Sequence, residues 1–132
     1  MIKKIDNLQL EAIVNGLQKK DSIINNTERE YPLSFLWKLN KNLTKLEDNY
    51  NVLLSLTDKI KKKYANEKYA EKVDGEDNWQ VKSEFLSDFQ DEMNKCYEIE
   101  EEYDIDSIKI DEIKEYKMTL PEFNSISFMI ED

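Results

Sequence analysis

The chain has 132 residues, in which 29 Asp+Glu outweigh 19 Lys+Arg and give a formal net charge of −10. It contains no histidine, one cysteine and two glycines. These counts exclude a histidine general base, a His- or Cys-ligated zinc cluster, an intramolecular disulfide and a glycine-rich phosphate loop. We therefore predict that the protein is not an enzyme and has no catalytic residues, cofactor or metal site.

The length fits a single domain over residues 1–132. Residues 1–6 include two lysines but no apolar run of seven or more follows, so we expect no signal peptide. No apolar stretch of 18 residues occurs either, which predicts no membrane span and a cytoplasmic location.

Residues 5–19 have the spacing of a short amphipathic helix, with Asp6 or Asn7 as its cap. Residues 20–31 are a polar connector. The apolar face of this first helix carries Ile5, Leu8, Ala12, Ile13 and Leu17.

The strongest pattern is a long helix that opens at Pro32 and closes at the lysines of residues 59–63, a length of about 50 Å. Its apolar positions recur in 3-4 spacing, as in a coiled coil. This helix seam consists of Leu36, Leu39, Leu43, Leu46, Tyr50, Leu53, Thr57, Ile60 and Tyr64. The seam predicts either an intramolecular helical hairpin or a homodimeric coiled coil.

A second helix is predicted over residues 84–97, capped by Ser83, after a turn at 74–78. It would pack antiparallel to the long helix. Its apolar stripe ends at Cys96, which we interpret as a packed side chain, since no histidine is available to activate it.

The period then changes from helical to alternating over residues 97–106, which predicts a strand. Short strands are also predicted at residues 108–110 and 116–118. Thr119 and Glu122 form a capping box for a terminal helix. The apolar side of that helix carries Leu120, Phe123, Ile126, Met129 and Ile130. The predicted fold is α+β and mostly α: a long helix in a helical hairpin, a small antiparallel β element and a C-terminal helix.

The charge is unevenly distributed: residues 1–73 carry 14 Lys+Arg and 10 Asp+Glu, whereas residues 74–132 carry 5 and 19. The first part is therefore a mildly basic helical half and the second an acidic one. On the predicted strand, alternate positions are all carboxylates, namely Glu98, Glu100, Glu102, Asp104 and Asp106. They form either a solvated face partly neutralised by Lys59–Lys63 or a face that binds a basic partner.

The segment from Asp104 begins like a calcium-binding loop, with Glu115 at the twelfth position. Ile108 stands at the fifth position, and Lys109 at the sixth, where the turn needs glycine. The segment therefore does not predict a calcium site.

Residues 31–43, the Lys63-Tyr64 pair and the C-terminal segments 120–122 and 128–131 resemble those of small phage and prophage proteins of Gram-positive bacteria. Ile5-Asp6-Asn7-Leu8 resembles the N-terminal segment of the same family. The resemblance implies a viral origin and an accessory role in the cytoplasm of a bacterial host cell. It supplies no catalytic residue.

Two functions follow as hypotheses. The first is a non-enzymatic, phage-encoded inhibitor of a host defence nuclease, anti-CRISPR-like, that binds a basic protein surface through the acidic face. The second is a phage structural or assembly protein that self-associates through the helix seam, as a possible homodimer. We expect no direct contact with nucleic acid or membrane in either case.

Overall fold

The structure, a computed structural model, describes residues 1–26, 30–73 and 79–131. In chain order the elements are β1 (Ile2–Asp6), α1 (Asn7–Gln18), α2 (Leu33–Tyr64), β2 (Ala70–Lys72), β3 (Trp79–Val81), α3 (Ser83–Tyr97), β4 (Glu100–Asp104), β5 (Ile108–Lys109), a 3-10 turn (Ile110–Glu112), α4 (Leu120–Ile126), a second 3-10 turn (Ser127–Met129) and β6 (Ile130–Glu131). The predicted α+β class, long helix and C-terminal helix are confirmed. The turn predicted at 74–78 lies outside the described residues.

The chain forms two compact units. The first unit comprises Met1–Tyr50 and Glu100–Asp132, and the second comprises Asn51–Ile99. Helix α2 therefore contributes its N-terminal part to the first unit and its C-terminal part to the second. The boundary between the units differs from the point after residue 73 where the sequence changes from mildly basic to acidic. That residues 1–132 form a single domain stays a prediction.

In the first unit, β1 pairs antiparallel with β4, whereas β5 pairs parallel with β6. Helices α1, α2 and α4 cover a core in which the side chains are almost fully enclosed. Its most buried members are Ile5, Leu10, Val14, Leu17, Ile23, Leu39, Leu46, Ile105, Ile108, Ile126 and Met129.

In the second unit, β2 and β3 form an antiparallel pair that connects the C-terminal part of α2 to α3. Aromatic rings pack there in a chain: Tyr64 lies 5.3 Å from Phe89 and 4.9 Å from Tyr69, and Tyr69 lies 4.9 Å from Phe85, between ring centroids. Cys96 is buried, as predicted.

The helix seam is covered by the chain itself. All of its members are buried except Leu36 and Ile60, which are half-buried. Thr57, the one polar position, donates its hydroxyl to the Leu54 carbonyl at 3.2 Å. The intramolecular alternative therefore accounts for the seam, and little of it is left for contact with a second copy.

Several predicted boundaries were wrong. The first helix begins at Asn7 and not at residue 5, because Asp6 accepts the Gln9 amide at 2.8 Å in a capping box and the residues before it form β1. Ser83 is the first residue of α3, and Lys82 holds the cap position without a side-chain hydrogen bond.

At the other end of the chain, residues 116–118 form no strand. The terminal helix ends at Ile126, and Met129 and Ile130 lie in the 3-10 turn and in β6. The pairing of β5 with β6 is parallel, whereas the predicted β element was antiparallel throughout.

Candidate protein-binding surface

The outer face of the β1–β4 sheet carries three of the five acidic residues that the sequence singles out. In the register of the two strands, Glu100 lies opposite Asp6, Glu102 opposite Lys4 and Asp104 opposite Ile2. Directly opposite residues share a face of an antiparallel sheet. The three carboxylates of β4 therefore form one exposed row, with neighbours about 6.6 Å apart along the strand. We call Glu100, Glu102 and Asp104 the acidic row.

The opposite face of the same strand points into the core. Tyr103 is buried, and its hydroxyl oxygen accepts a hydrogen bond from the Asn49 side-chain amide at 3.0 Å. Burial is the main cause that raises the pKa of the Tyr103 hydroxyl. Ile105, directly after the strand, is also buried. These two inward side chains fix which way the acidic row faces.

The acidic row is only partly neutralised. Lys4 Nζ lies 3.3 Å from Glu100 Oε2, and the amino group of Met1 lies 3.5 Å from Asp104 Oδ1. Both side chains of the Lys4–Glu100 pair are solvated, so the pair contributes little to stability. With Asp6 on the same face, the sheet keeps an excess of negative charge.

Two of the five carboxylates predicted for this face do not belong to it. Glu98 follows the last residue of α3, where its amide caps the helix by donating to the Asn94 carbonyl at 2.9 Å. Asp106 lies beyond the end of β4 and is half-buried. The alternation in the sequence continues through these positions, but the strand itself is shorter.

Asp106 is held by lysines of α2. Its Oδ2 lies 3.2 Å from Lys41 Nζ and 3.7 Å from Lys45 Nζ. The close contact with Lys41 is the main cause that lowers the pKa of this carboxyl, and the charge of Lys45 acts in the same direction. Asp106 therefore contributes to the packing of the first unit, and its role as a partner contact stays a prediction.

The backbone after β4 is fixed by the buried side chain of Asn42. Its amide group donates to the Asp106 carbonyl at 2.9 Å and its carbonyl accepts the Asp106 amide at 2.8 Å. On the same helix, Lys45 donates to the Asp104 carbonyl at 2.8 Å and Lys38 to the Ser107 carbonyl at 3.2 Å. We call these contacts of α2 the backbone clamp; it ties the C-terminal end of β4 and the residues after it to α2.

The lysine run at the end of α2 has partners within the second unit. Lys63 Nζ lies 2.8 Å from Glu92 Oε1, and Lys62 pairs with Asp58 one turn earlier at 2.9 Å. Lys63 and Tyr64 together lower the pKa of Glu92, Lys63 being the larger cause, and Glu92 raises the pKa of both. Lys63, Tyr64 and Glu92 line a polar cleft of about 460 Å³, together with the rings of Tyr69 and Phe85.

Sequence reasoning located the acidic row but missed its neighbour strand and the buried asparagine that supports it. The capping box at Asp6 and Gln9 was the available signal for β1, since residues before a cap are not helical. Asn42 gave no signal, because it lies one position before Leu43 of the seam and reads as an ordinary polar helix residue.

Within residues 1–26, 30–73 and 79–131, no group of three or more Cys, Asp or Glu side chains is placed to hold a metal ion. In that same part of the chain, none of the helices combines the length and the apolar character that crossing a membrane requires. Comparison with known proteins adds no assignment: no family model, curated protein or solved structure matches this chain.

Proposed function

We propose that this protein is a phage-encoded, non-enzymatic inhibitor that binds a basic surface of a host defence nuclease, such as a CRISPR effector, in the bacterial cytoplasm. The acidic row is the observation that supports the proposal. Three exposed carboxylates at regular spacing on a short, rigidly held strand resemble, in charge, a nucleic-acid backbone, and they attract the Lys/Arg grooves of proteins that bind one. The phage-like sequence pattern supports the setting.

The geometry favours recognition over a passive solvated face. The backbone clamp fixes the carbonyls of Asp104 and Asp106 to α2, and Tyr103 anchors the strand from beneath. A row held this way loses little conformational freedom when a partner binds, and this lowers the cost of association.

A competition assay tests the proposal. Duplex DNA bound to a CRISPR nuclease of a Gram-positive host is followed by fluorescence polarisation while the protein is added, at low and at high salt. We expect displacement that weakens as salt rises, because exposed charges are screened. The triple variant Glu100→Lys, Glu102→Lys and Asp104→Lys should bind at least about tenfold more weakly.

The matched control reverses three exposed carboxylates of the second unit, Glu71, Asp88 and Asp91, so that net charge changes equally. Circular dichroism and urea unfolding establish that both variants fold. If the two variants lose affinity equally, or if high salt leaves displacement undiminished, the acidic row is not the binding surface.

The alternative function, a phage structural or assembly protein, was based on self-association through the helix seam. Because the chain's own core encloses most of the seam, an assembly role would have to use another surface. Sedimentation velocity at micromolar concentration tests this directly. A dimer that dissociates when exposed residues of α2 are changed would favour the alternative over the inhibitor.

A further inference from the structure

The polar cleft of the second unit has walls of opposite charge. Helix α3 forms one wall and contributes the carboxylates of Asp88, Asp91 and Glu92. The last turn of α2 and the residues that follow it form the other wall, which contributes the ammonium groups of Lys63 and Lys68. A molecule in the cleft therefore lies between an acidic and a basic surface.

An ion pair of the chain itself bridges the two walls, since Lys63 Nζ lies 2.8 Å from Glu92 Oε1. Lys68 and Asp88, on opposite walls, are both exposed, and their side chains have no ion-pair or hydrogen-bond partner within residues 1–26, 30–73 and 79–131. The Lys68 ammonium group lies over the Tyr69 ring, 5.0 Å from its centroid. Lys68 and Asp88 are therefore available to a ligand from opposite sides.

Aromatic rings line the same cleft. Tyr69 and Phe85 are half-buried, and their rings meet edge to face with centroids 4.9 Å apart. Tyr64, which also lines the cleft, is only 4% exposed. The volume of about 460 Å³ lies within the roughly 300–1,000 Å³ of small-molecule sites. The cleft thus combines room for a small molecule with apolar ring surface and charges of both signs.

We propose that the cleft binds a free α-amino acid with an apolar or aromatic side chain. The carboxylate of the ligand would pair with Lys68 and its ammonium group with Asp88, while its side chain would contact the rings of Tyr69 and Phe85. Such a ligand carries both charged groups on one carbon atom, so it reaches both walls at once. The inference does not depend on the proposed function, since the acidic row belongs to the first unit.

The opposite charges of the walls disfavour ligands with a charge of one sign. An anion drawn to Lys68 would be repelled by the carboxylates of α3, and a cation drawn to Asp88 would be repelled by Lys68. Asp91 and Lys95 lie four residues apart on α3, where opposite charges offset each other. A zwitterion pairs with Lys68 and Asp88 without adding repulsion, and the protein's net charge of −10 does not oppose its binding.

Three small molecules test whether both walls bind the ligand. L-Phenylalanine carries both charged groups, phenethylamine lacks the carboxylate and hydrocinnamate lacks the ammonium group. Each is titrated into the full chain at neutral pH, and the amide signals of Tyr69, Phe85 and Asp88 are followed by NMR. We expect saturating shifts with a millimolar Kd for L-phenylalanine and at least about threefold weaker binding of either analogue.

Single substitutions assign each charged group of the ligand to one wall. Lys68→Gln should remove the advantage of L-phenylalanine over phenethylamine, and Asp88→Asn should remove its advantage over hydrocinnamate. The matched controls Lys59→Gln and Glu84→Gln remove the same charges at positions outside the cleft lining, and should alter each affinity by less than about twofold. All four positions are exposed, so we expect the variants to fold, and circular dichroism verifies this.

The proposal is overturned if L-phenylalanine causes no saturating shift up to about 20 mM. It is equally overturned if either analogue binds as tightly as L-phenylalanine, because one wall alone would then recruit the ligand. A third contrary result is that Lys68→Gln and Asp88→Asn weaken binding no more than their controls, since the ligand would then lie outside the cleft.

Discussion

Asn42→Ala tests whether the backbone clamp holds the acidic row in place. Asn42 is fully buried on α2, and its side chain makes a reciprocal pair of hydrogen bonds with the Asp106 backbone, 64 residues further along the chain. The amide donor also lies 3.7 Å from the sulfur of Met129. Truncation removes both hydrogen bonds at once and leaves the peptide groups of Asp106 without their partner.

The expected loss of unfolding free energy is about 2–4 kcal/mol. Each lost hydrogen bond costs about 0.5–1.5 kcal/mol net, and a buried group left without a partner raises this to about 1–3 kcal/mol. Asp106 is only half-buried, so water relieves part of the penalty on its backbone. A loss of this size is a large fraction of the roughly 5–15 kcal/mol that stabilises a typical domain.

Urea unfolding followed by circular dichroism measures the loss, with Asn40→Ala as the control. Asn40 lies on the same helix but is exposed, and its amide donates only to the Leu36 carbonyl of its own helix at 2.8 Å. Both substitutions gain the same helix propensity, so the difference between them isolates the clamp. We expect the control to stay within about 0.5 kcal/mol of the parent protein.

Two results would refute the reasoning. One is a loss at Asn42 of less than about 1 kcal/mol beyond the control, since two hydrogen bonds from a fully buried side chain should together cost at least that much. The other is fast hydrogen exchange of the Asp106 amide in the parent protein, because the structure has that amide bonded to Asn42 Oδ1.

Further predictions concern other contacts. Because Lys41 lowers the pKa of Asp106, the ionised carboxyl stabilises the fold above its ordinary pKa and loses that effect as the pH falls through the lowered value. The urea midpoints of the parent and Asp106→Asn should therefore differ at pH 7, and the difference should shrink as the pH falls below the ordinary pKa of the carboxyl. Thr119→Ala removes the N-cap of α4, in which the Thr119 hydroxyl accepts the Glu122 amide at 3.3 Å. It should lower the unfolding free energy by about 0.5–2 kcal/mol in the same assay, whereas Thr119→Ser, which keeps the hydroxyl, should not. A Cβ added at Gly16 would meet Ser125 Cβ at 3.4 Å, an ordinary contact, so Gly16→Ala should raise the thermal midpoint through a gain of up to about 1 kcal/mol; a lowered midpoint would show that α1 and α4 pack more tightly.

Elements with a strong local signal were predictable from the sequence. The seam of α2 runs in strict 3-4 spacing and is buried, and the capping box at Thr119 opens α4 with the expected hydrogen bonds. These features depend on neighbours within one or two turns of helix. Local periodicity is sufficient to find them.

Features that depend on distant partners were not predictable. β1 reads Ile2-Lys3-Lys4-Ile5-Asp6, in which the two isoleucines are three apart, so its spacing suggests a helix and only its pairing with β4 makes it a strand. Residues 116–118 alternate like a strand but find no partner strand in the described chain. Of the candidate surface, the sequence identified the acidic row, but not that Asp106 is committed to Lys41 and Lys45.

The reciprocal contact of Asn42 with Asp106 also makes the acidic row sensitive to chain length. A primary amide side chain offers the same donor and acceptor as a peptide bond, so it selects one residue of the passing backbone. One residue inserted or deleted between Tyr103 and Asp106 would turn inward side chains outward and bury carboxylates in the core. We therefore expect length variation to be rejected between Tyr103 and Asp106.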